Sequence, residues 1–194
     1  MAYTIIRGLF VIIYVTIFRW DVKGNENIPK TGPFILCSNH ISWWDPTILG
    51  GLTKRPARYM AKEELFKVPI LGTILRMINV FPVKRNSADH KAIKTSLAAL
   101  EAGGGLGMFP EGTRSRTDEL LPPQPGVGFI AVKSKAPVIP VAIIGPFKFL
   151  RPLRVRVGKP MTFPEYYDVK VKSEQLEDVA KRIMAEIAIL RKSI

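Results

Sequence analysis

Apolar runs alternate with amphipathic stretches along most of the chain, and this alternation predicts an α/β fold. Each run is rich in Val, Ile, Leu and Phe and has a length typical of a strand. The runs that we predict as strands are residues 34–38, 57–61, 80–83, 106–109, 138–144 and 153–157. The stretches between them fit helices, and the last helix, predicted from Ser173, carries one apolar stripe at helical spacing. We therefore predict a single layered α/β domain with a mostly buried mixed sheet flanked by helices.

The start of the chain has a different pattern. Residues 8–18 carry no charge, and arginines bracket them on both sides. A spanning helix needs about 20 apolar residues, so we expect no straight transmembrane helix. A signal peptide has an apolar core of this length, but no A-x-A-like cleavage site follows. We predict that residues 1–20 form a membrane-associating helix in the interface, with Tyr3, Trp20 and the flanking arginines at headgroup depth; a buried core helix is the alternative.

The charge balance narrows the choice of partners. Twenty-nine Lys and Arg against sixteen Asp and Glu leave a net charge of +13. An excess of this size favours anionic partners such as acidic lipid headgroups, phosphorylated substrates or nucleic acid. No aromatic-basic RNA-binding signature is present, so we expect no nucleic acid partner. The single cysteine, Cys37, excludes an internal disulfide and fits a reducing compartment.

Two polar segments follow predicted strands, where α/β sheets usually bind their ligands. The first is CSNHISWWDP, residues 37–46. Asp45 followed by Pro46 indicates a helix start, because the carboxylate can accept from a free N–H of the first turn. A tight turn would also bring this carboxylate to His40, where it would hold the proton on one ring nitrogen and leave the other as a base. Both interpretations of Asp45 remain open at this point.

A His–Asp pair in this segment has no protein nucleophile beside it. With strand geometry, Cys37 faces the opposite side from His40, and no G-x-S-x-G sequence occurs. The base would therefore act on a substrate hydroxyl or on water. The other histidine, His90, lies in a separate predicted helix without ligand-like spacing, so we expect a solvated residue and no metal site.

The second segment is GMFPEGTRSRTDEL, residues 107–120. It combines a glycine that permits open backbone N–H groups, two hydroxyls, and an arginine whose planar guanidinium suits phosphate. These residues are Gly112, Thr113, Ser115 and Arg114. A phosphate cradle is one interpretation, and a polar surface turn is the other. Lys84 and Arg85 follow another predicted strand and would supply a second anion contact.

Together these segments resemble the glycerolipid acyltransferase family. NHISWWDP matches the family's N-H-x-x-x-x-D block, and FPEGTRS matches its second hallmark in the right order. Between them, KEELFKVPILG and FPVKR resemble the K-x-E-L-x-x-x-P-x-x-G segment and the arginine block, and APVIPVAI resembles the last strand block. The resemblance covers residues 24–144. The approach to Arg85, Pro82-Val83-Lys84, departs from the family's usual apolar-acidic sequence.

The resemblance implies an enzyme that transfers a fatty acyl group from acyl-CoA or acyl-ACP to the sn-2 hydroxyl of 1-acylglycerol 3-phosphate (lysophosphatidic acid), forming phosphatidic acid. His40 would be the general base and Asp45 would orient it. Transfer would be direct, without an acyl-enzyme, a metal or a cofactor. The implied substrate-binding set is Arg85, Glu111, Gly112, Thr113, Arg114 and Ser115, with Glu111 organising the loop.

The resemblance also implies a location. Residues 21–194 would form the acyltransferase domain, held peripherally or monotopically at the cytoplasmic face of the cell membrane, with an anionic membrane surface as partner. The alternatives are a hydrolase, an acyltransferase for another lyso-lipid or glycerol 3-phosphate, and a non-catalytic basic module that binds lipid or nucleic acid.

Overall fold

The computed structural model of the protein describes residues 2–84, 89–117, 119–145, 147 and 151–193. Its strands are β1 (Asp21–Lys23), β2 (Phe34–Ser38), β3 (Ala57–Lys62), β4 (Val80–Val83), β5 (Gly105–Met108), β6 (Val138–Ile144) and β7 (Arg154–Val157). Its α-helices are α1 (Ala2–Ile17), α2 (Asp45–Leu52), α3 (Pro69–Met77), α4 (His90–Glu101), α5 (Pro125–Ser134) and α6 (Ser173–Lys192). Short 3-10 helices lie at Asn25–Asn27, Glu63–Lys67 and Pro164–Tyr166.

One sheet runs through the molecule in the order β1-β7-β6-β2-β5-β3-β4. Its pairs are parallel except β6 with β7, which is antiparallel. The predicted mixed sheet with flanking helices is therefore confirmed, and every predicted strand is present with its bounds shifted by at most one residue. The sequence prediction missed β1, because three residues are too few for a periodic pattern.

The two faces of the sheet are covered by different helices. In β2, Ile35 and Cys37 join an apolar cluster that includes α5 and α6, and Leu100 of α4 belongs to the same cluster. Phe34 and Leu36 point the other way, into a cluster that holds residues of α1, α2 and α3. This alternation is the two-residue period of a strand, here with both faces buried. We call the helices α1, α2 and α3 the first layer, and α4, α5 and α6 the second layer.

The centre of the sheet determines where a site can form. All five residues of β2 are buried, and the strand lies between parallel neighbours, β5 and β6. Parallel strands end at the same edge of a sheet, so the segments after β2, β5 and β6 meet there. Both polar segments predicted from the sequence lie at this edge.

Helix α1 is packed onto α2. Arg7 donates from Nε to the Thr53 carbonyl at 2.8 Å and from Nη2 to the Gly51 carbonyl at 2.9 Å. Carbonyl groups at a helix C-terminus lack intrahelical partners and carry partial negative charge, so a guanidinium there stabilises α2. Tyr3 donates to the Gly50 carbonyl, and Trp20 packs against the first-layer cluster. Arg7 and Trp20 thus contact the protein itself, and their placement at headgroup depth stays a prediction.

The outward side of α1 is apolar and exposed. Its exposed large side chains are Ile5, Leu9, Ile12 and Val15. Among the described residues, no helix combines the length and the apolar character needed to cross a bilayer.

Candidate active site

His40 and Asp45 are in direct contact just beyond the end of β2. His40 Nδ1 lies 2.8 Å from Asp45 Oδ2, and the carboxylate is completely buried. The same oxygen accepts from the backbone N–H groups of Ile41 at 2.6 Å and Ser42 at 2.8 Å. Because an ionised carboxylate only accepts, this pairing favours the neutral tautomer that carries its proton on Nδ1 and has Nε2 as the acceptor.

The helix-capping interpretation of Asp45 was wrong. Helix α2 begins one residue earlier than predicted, with Asp45 rather than Pro46 as its first residue; Trp44 is the N-cap residue and its side chain makes no capping hydrogen bond. The carboxylate points back into the turn that precedes the helix, where two backbone N–H groups and the imidazole converge on one oxygen. The other oxygen, Oδ1, is buried and has no hydrogen-bond partner within the described part of the chain.

The imidazole is held in place by packing as well as by the carboxylate. The ring of Phe109 stacks on it with centroids 4.0 Å apart and an interplanar angle of 17°. Only 13% of the His40 side chain is exposed. Cys37 is buried in the second-layer cluster, on the side that the alternation of side chains along the strand predicted. Burial raises the pKa of its thiol far above the usual value. The thiol is therefore a core group, protonated at neutral pH.

Glu111 joins the two polar segments. Its Oε1 accepts from the His40 backbone N–H and its Oε2 from the Leu121 N–H, both at 2.9 Å. In return, the Ser115 N–H donates to the His40 carbonyl at 2.8 Å. The carboxylate is buried and both of its oxygens are engaged by backbone. Glu111 thus braces the loop, as the sequence predicted, and fixes the backbone of the histidine on both sides.

The loop after β5 forms a polar cleft next to this brace. Gly112 has φ +69°, in the left-handed region that favours glycine. Ser115 uses its hydroxyl within the loop, where its single proton can be donated to the carbonyl of Thr117, 2.9 Å away, or of Glu119, 2.8 Å away. The cleft has a volume of about 470 Å³ and is lined by Ile41, Thr113, Arg114, Ser115, Arg116 and Thr117. Two arginines and two exposed threonines make it suited to an anion.

Arg114 connects this cleft to the histidine turn. Its guanidinium carbon lies 3.7 Å from the centroid of the Trp43 ring. A planar guanidinium stacks well on an indole and keeps its N–H groups free to bind in the ring plane. The structure thus brings His40, Asp45, Glu111, Gly112, Thr113, Arg114 and Ser115 together at one sheet edge. Arg85 lies outside the described residues.

Sequence reasoning missed three contributors to this site. Asn39 is buried, and its side chain bonds both to the Ile143 N–H at 2.8 Å and to the Ile143 carbonyl at 2.9 Å, which ties the end of β2 to β6. Phe109 supplies the stacking ring and Arg116 lines the cleft. The available signal for Asn39 was a polar residue placed between a wholly apolar strand and the histidine.

A second, more apolar cleft adjoins the first and shares Ile41 with it. Its volume is about 760 Å³, and Leu120, Ile143, Ile144, Phe147 and Ala188 contribute apolar walls. In the described part of the chain, no group of three or more His, Cys, Asp or Glu side chains is arranged to hold a metal ion. His90 is exposed at the start of α4, as predicted.

Comparison with known proteins places the chain in a family. The family model described as Acyltransferase matches residues 19–144. The 1-acyl-sn-glycerol-3-phosphate acyltransferase of Streptococcus pneumoniae is 33% identical over 96% of this chain and 72% of its own length. The enzyme of the same name from Bacillus subtilis is 39% identical over 64% of this chain and 62% of its own length. The chain belongs to the Acyltransferase family.

A solved structure agrees with this assignment. The crystal structure of the 1-acyl-sn-glycerophosphate (LPA) acyltransferase PlsC from Thermotoga maritima superposes with a TM-score of 0.73 at 27% identity. The match covers 99% of this chain and 79% of the Thermotoga protein. The fold and the family are therefore supported independently by sequence and by shape.

Proposed function

We propose that the protein transfers a fatty acyl group from an acyl thioester, acyl-CoA or acyl-ACP, to the sn-2 hydroxyl of 1-acylglycerol 3-phosphate. The product is phosphatidic acid. The observation that carries the proposal is the His40–Asp45 pair, 2.8 Å apart, next to an arginine-lined cleft. The names of the relatives support the acceptor and the reaction class.

In this proposal His40 is the general base. Its Nε2 takes the proton of the sn-2 hydroxyl while the hydroxyl oxygen forms the new ester bond to the acyl carbon. The carbon–sulfur bond then breaks, and the proton passes from Nε2 to the departing thiolate. Base catalysis of this kind contributes about 10²–10⁴-fold, and alignment of the two substrates supplies further acceleration.

Asp45 acts through His40. Its buried carboxylate fixes the tautomer and offsets the positive charge that the imidazole gains when it takes the proton. Two backbone N–H groups hold Oδ2 in place, so the carboxylate need not reorganise during the reaction. A rigid carboxylate in a dry site interacts with this charge more strongly than an exposed one would.

Arg114 and Arg116 are the proposed partners of the acceptor phosphate. Both line the cleft, and Trp43 holds the Arg114 guanidinium from one side. Backbone approach at Gly112 and the hydroxyl of Thr113 complete the set, while Glu111 and Ser115 shape the loop that carries it. We propose Arg85 as a further phosphate contact on the basis of the sequence resemblance.

We also propose that the protein lies on the cytoplasmic face of the cell membrane, peripherally or monotopically. The exposed apolar side of α1 and the net charge of +13 support this placement. Deleting α1 would also remove the buried Tyr14 from the core, so the test substitutes only exposed residues of this helix. Leu9→Ser with Ile12→Ser should weaken binding to anionic vesicles without unfolding the protein, and binding equal to wild type would contradict this role.

The enzymatic proposal is tested with purified protein, labelled acyl-CoA or acyl-ACP, and a panel of lyso-phospholipids and glycerol 3-phosphate, followed by product chromatography. We expect phosphatidic acid from 1-acylglycerol 3-phosphate, and no product from His40→Ala at the same protein concentration. Preference for another acceptor would indicate an acyltransferase with a different acceptor specificity. Release of free fatty acid without an acceptor would indicate a hydrolase instead.

A further inference from the structure

The exposed apolar side chains of the protein are concentrated on one layer. Of thirteen exposed large hydrophobic residues among those described, eleven belong to α1, to the turn before α2, or to α3 and the residue before it. The remaining two, Val169 and Ile189, lie in the loop before α6 and on α6 itself. Scattered exposed hydrophobics need no explanation, but a one-sided distribution indicates a surface that meets another apolar phase.

Helix α3 carries a large share of this surface. Ile70 is 77% exposed, and Ile74 and Met77 follow it at i+4 and i+7, so the three side chains lie along one face. We call these three residues the α3 stripe. The helix itself is firmly placed, because Gly72 on its opposite face lies so close to Phe66 that an added Cβ would be 2.5 Å from the Phe66 carbonyl oxygen. The stripe is thus presented to the outside by a well-packed helix.

The charges around the stripe fit an anionic surface. Residues 65–88 contain no Asp or Glu and include Lys67, Arg76, Lys84 and Arg85. Lys67, just before α3, and Arg76, in its last turn, are both exposed, and the Arg76 guanidinium carbon lies 5.7 Å from the centroid of the Phe66 ring. The neighbouring carboxylates are those of Glu63 and Glu64, and Glu64 pairs with Lys62 at 3.3 Å. An apolar stripe in a segment with exposed cations and no carboxylates is typical of a helix that lies in a lipid interface.

The rest of the first layer has the same chemistry. The exposed apolar side of α1 is in this layer, and Trp43 and Trp44, at the start of α2, are both more than half exposed. Tryptophan favours the depth at which lipid headgroups meet acyl chains. The exposed cations Lys67 and Arg76 in this layer favour an anionic bilayer over an uncharged apolar protein surface as the partner.

We propose that α3 is a second membrane-contact element of this protein, independent of α1. The α3 stripe enters the boundary between headgroups and acyl chains of an anionic bilayer, and Lys67 and Arg76 bind lipid phosphates. The first layer as a whole then lies against the bilayer. This inference rests on the proposed function for the choice of a lipid surface as partner.

The test uses the full chain with vesicles of phosphatidylglycerol and phosphatidylcholine. The variant Ile70→Gln/Ile74→Gln/Met77→Gln should lower vesicle affinity by about tenfold or more, because three apolar side chains no longer leave water on binding. The matched control is Val169→Gln/Ile189→Gln on the second layer, which should bind as wild type does. Lys67→Gln and Arg76→Gln should each cost about fivefold on anionic vesicles and almost nothing on pure phosphatidylcholine.

Several outcomes would overturn the proposal. The first two are wild-type vesicle binding by the triple variant and an equal loss of binding in the control. The third is a dimeric wild-type protein that the triple substitution makes monomeric while vesicle binding stays unchanged, since the stripe would then be a contact between two copies of the chain. If the triple variant does not fold, the vesicle affinity of Ile70→Gln is measured instead, since Ile70 is the most exposed of the three side chains. Wild-type affinity of this single variant would then overturn the proposal.

Activity separates this proposal from the proposed function. With a short-chain 1-acylglycerol 3-phosphate kept below its micelle concentration, the triple variant should turn over as fast as wild type. Wild-type protein that transfers no acyl group to any acceptor would refute the proposed function, while the vesicle measurement would still decide the role of α3.

Discussion

Replacing Asp45 by Asn removes the charge of the proposed dyad while keeping its shape. In the native site Oδ2 collects the imidazole N–H and two backbone N–H groups, and Oδ1 is buried without a partner in the described residues. If the amide oxygen of the variant takes the Oδ2 position, all three donors keep an acceptor. The amide N–H₂ then occupies the Oδ1 position, where the native oxygen has no hydrogen bond within the described residues, and we expect its protons to lack an acceptor. The opposite orientation places the N–H₂ group against three donors, which then have no acceptor, and is therefore less stable.

These contacts give the expected magnitudes. A buried donor without a partner costs about 1–3 kcal/mol, so the free energy of unfolding should fall by that amount. The imidazolium formed during proton transfer loses its counter-charge, and kcat should fall by about 10²–10⁴-fold, the range that general-base catalysis contributes. The acceptor KM should stay within about threefold of wild type, because the arginine cleft is not altered.

The assay combines single-turnover kinetics with urea unfolding of the same preparations. The matched control is Asp21→Asn on β1, where the carboxylate accepts from buried Arg156 at 2.8 Å at an edge of the sheet remote from β2 in strand order. This control should lose stability and keep its kcat. A kcat for Asp45→Asn within about threefold of wild type would refute the role of the carboxylate, whatever happened to stability.

Four other substitutions test the Glu111 brace, the arginine cleft and the tolerance of two glycine positions to an added methyl group. Glu111→Gln should lower kcat by about tenfold or more and should also lower the midpoint of urea unfolding. The reason is that one of the two backbone N–H groups loses its acceptor, and unchanged kinetics would contradict the bracing role of Glu111. Arg114→Ala should raise the acceptor KM about tenfold with little change in kcat, and an unaffected KM would exclude the phosphate contact. Gly107→Ala should prevent soluble expression, because its Cβ would lie 2.0 Å from the Tyr59 ring. By contrast, Gly126→Ala in α5, whose Cβ meets nothing within 4 Å, should raise the free energy of unfolding by about 0.5–1 kcal/mol.

The sheet was predictable because its strands are continuous apolar runs. Val138–Ile144 and Phe34–Ser38 were predicted with their observed bounds, since both are buried on two faces and end at polar or turn residues. The short edge strand β1 was not, because Asp21 and Lys23 flank a single apolar residue. Its position depends on pairing with β7, which is distant in sequence. Local pattern cannot encode such a partner.

The candidate site was predictable as a set of residues and only partly as a geometry. The sequence placed a carboxylate within reach of His40, but it did not show that two backbone N–H groups before α2 would bind the carboxylate in preference to those inside the helix. Nor did it show how Glu111 reaches the backbone of the histidine, a contact across 71 positions. Both outcomes depend on β2 and β5 ending side by side. Which strands end side by side is a property of the tertiary structure, and the local sequence pattern does not encode it.

The packing of α1 on α2 links the first layer, for which we propose membrane contact, to the proposed chemistry. Asp45 is the first residue of α2, and α2 is held by α1 through the Arg7 contacts at one end. At the other end, the Tyr14 hydroxyl is bonded to Thr47 in the first turn, and burial raises the pKa of Tyr14 to about 12, so it remains a neutral hydroxyl at physiological pH. If α1 contacts a bilayer as proposed, a displacement of α1 would be transmitted to the helix that begins with the proposed catalytic carboxylate. The first layer, for which we propose lipid contact, and the turn that holds the proposed base therefore form one packed unit, so we expect a change in either to affect the other.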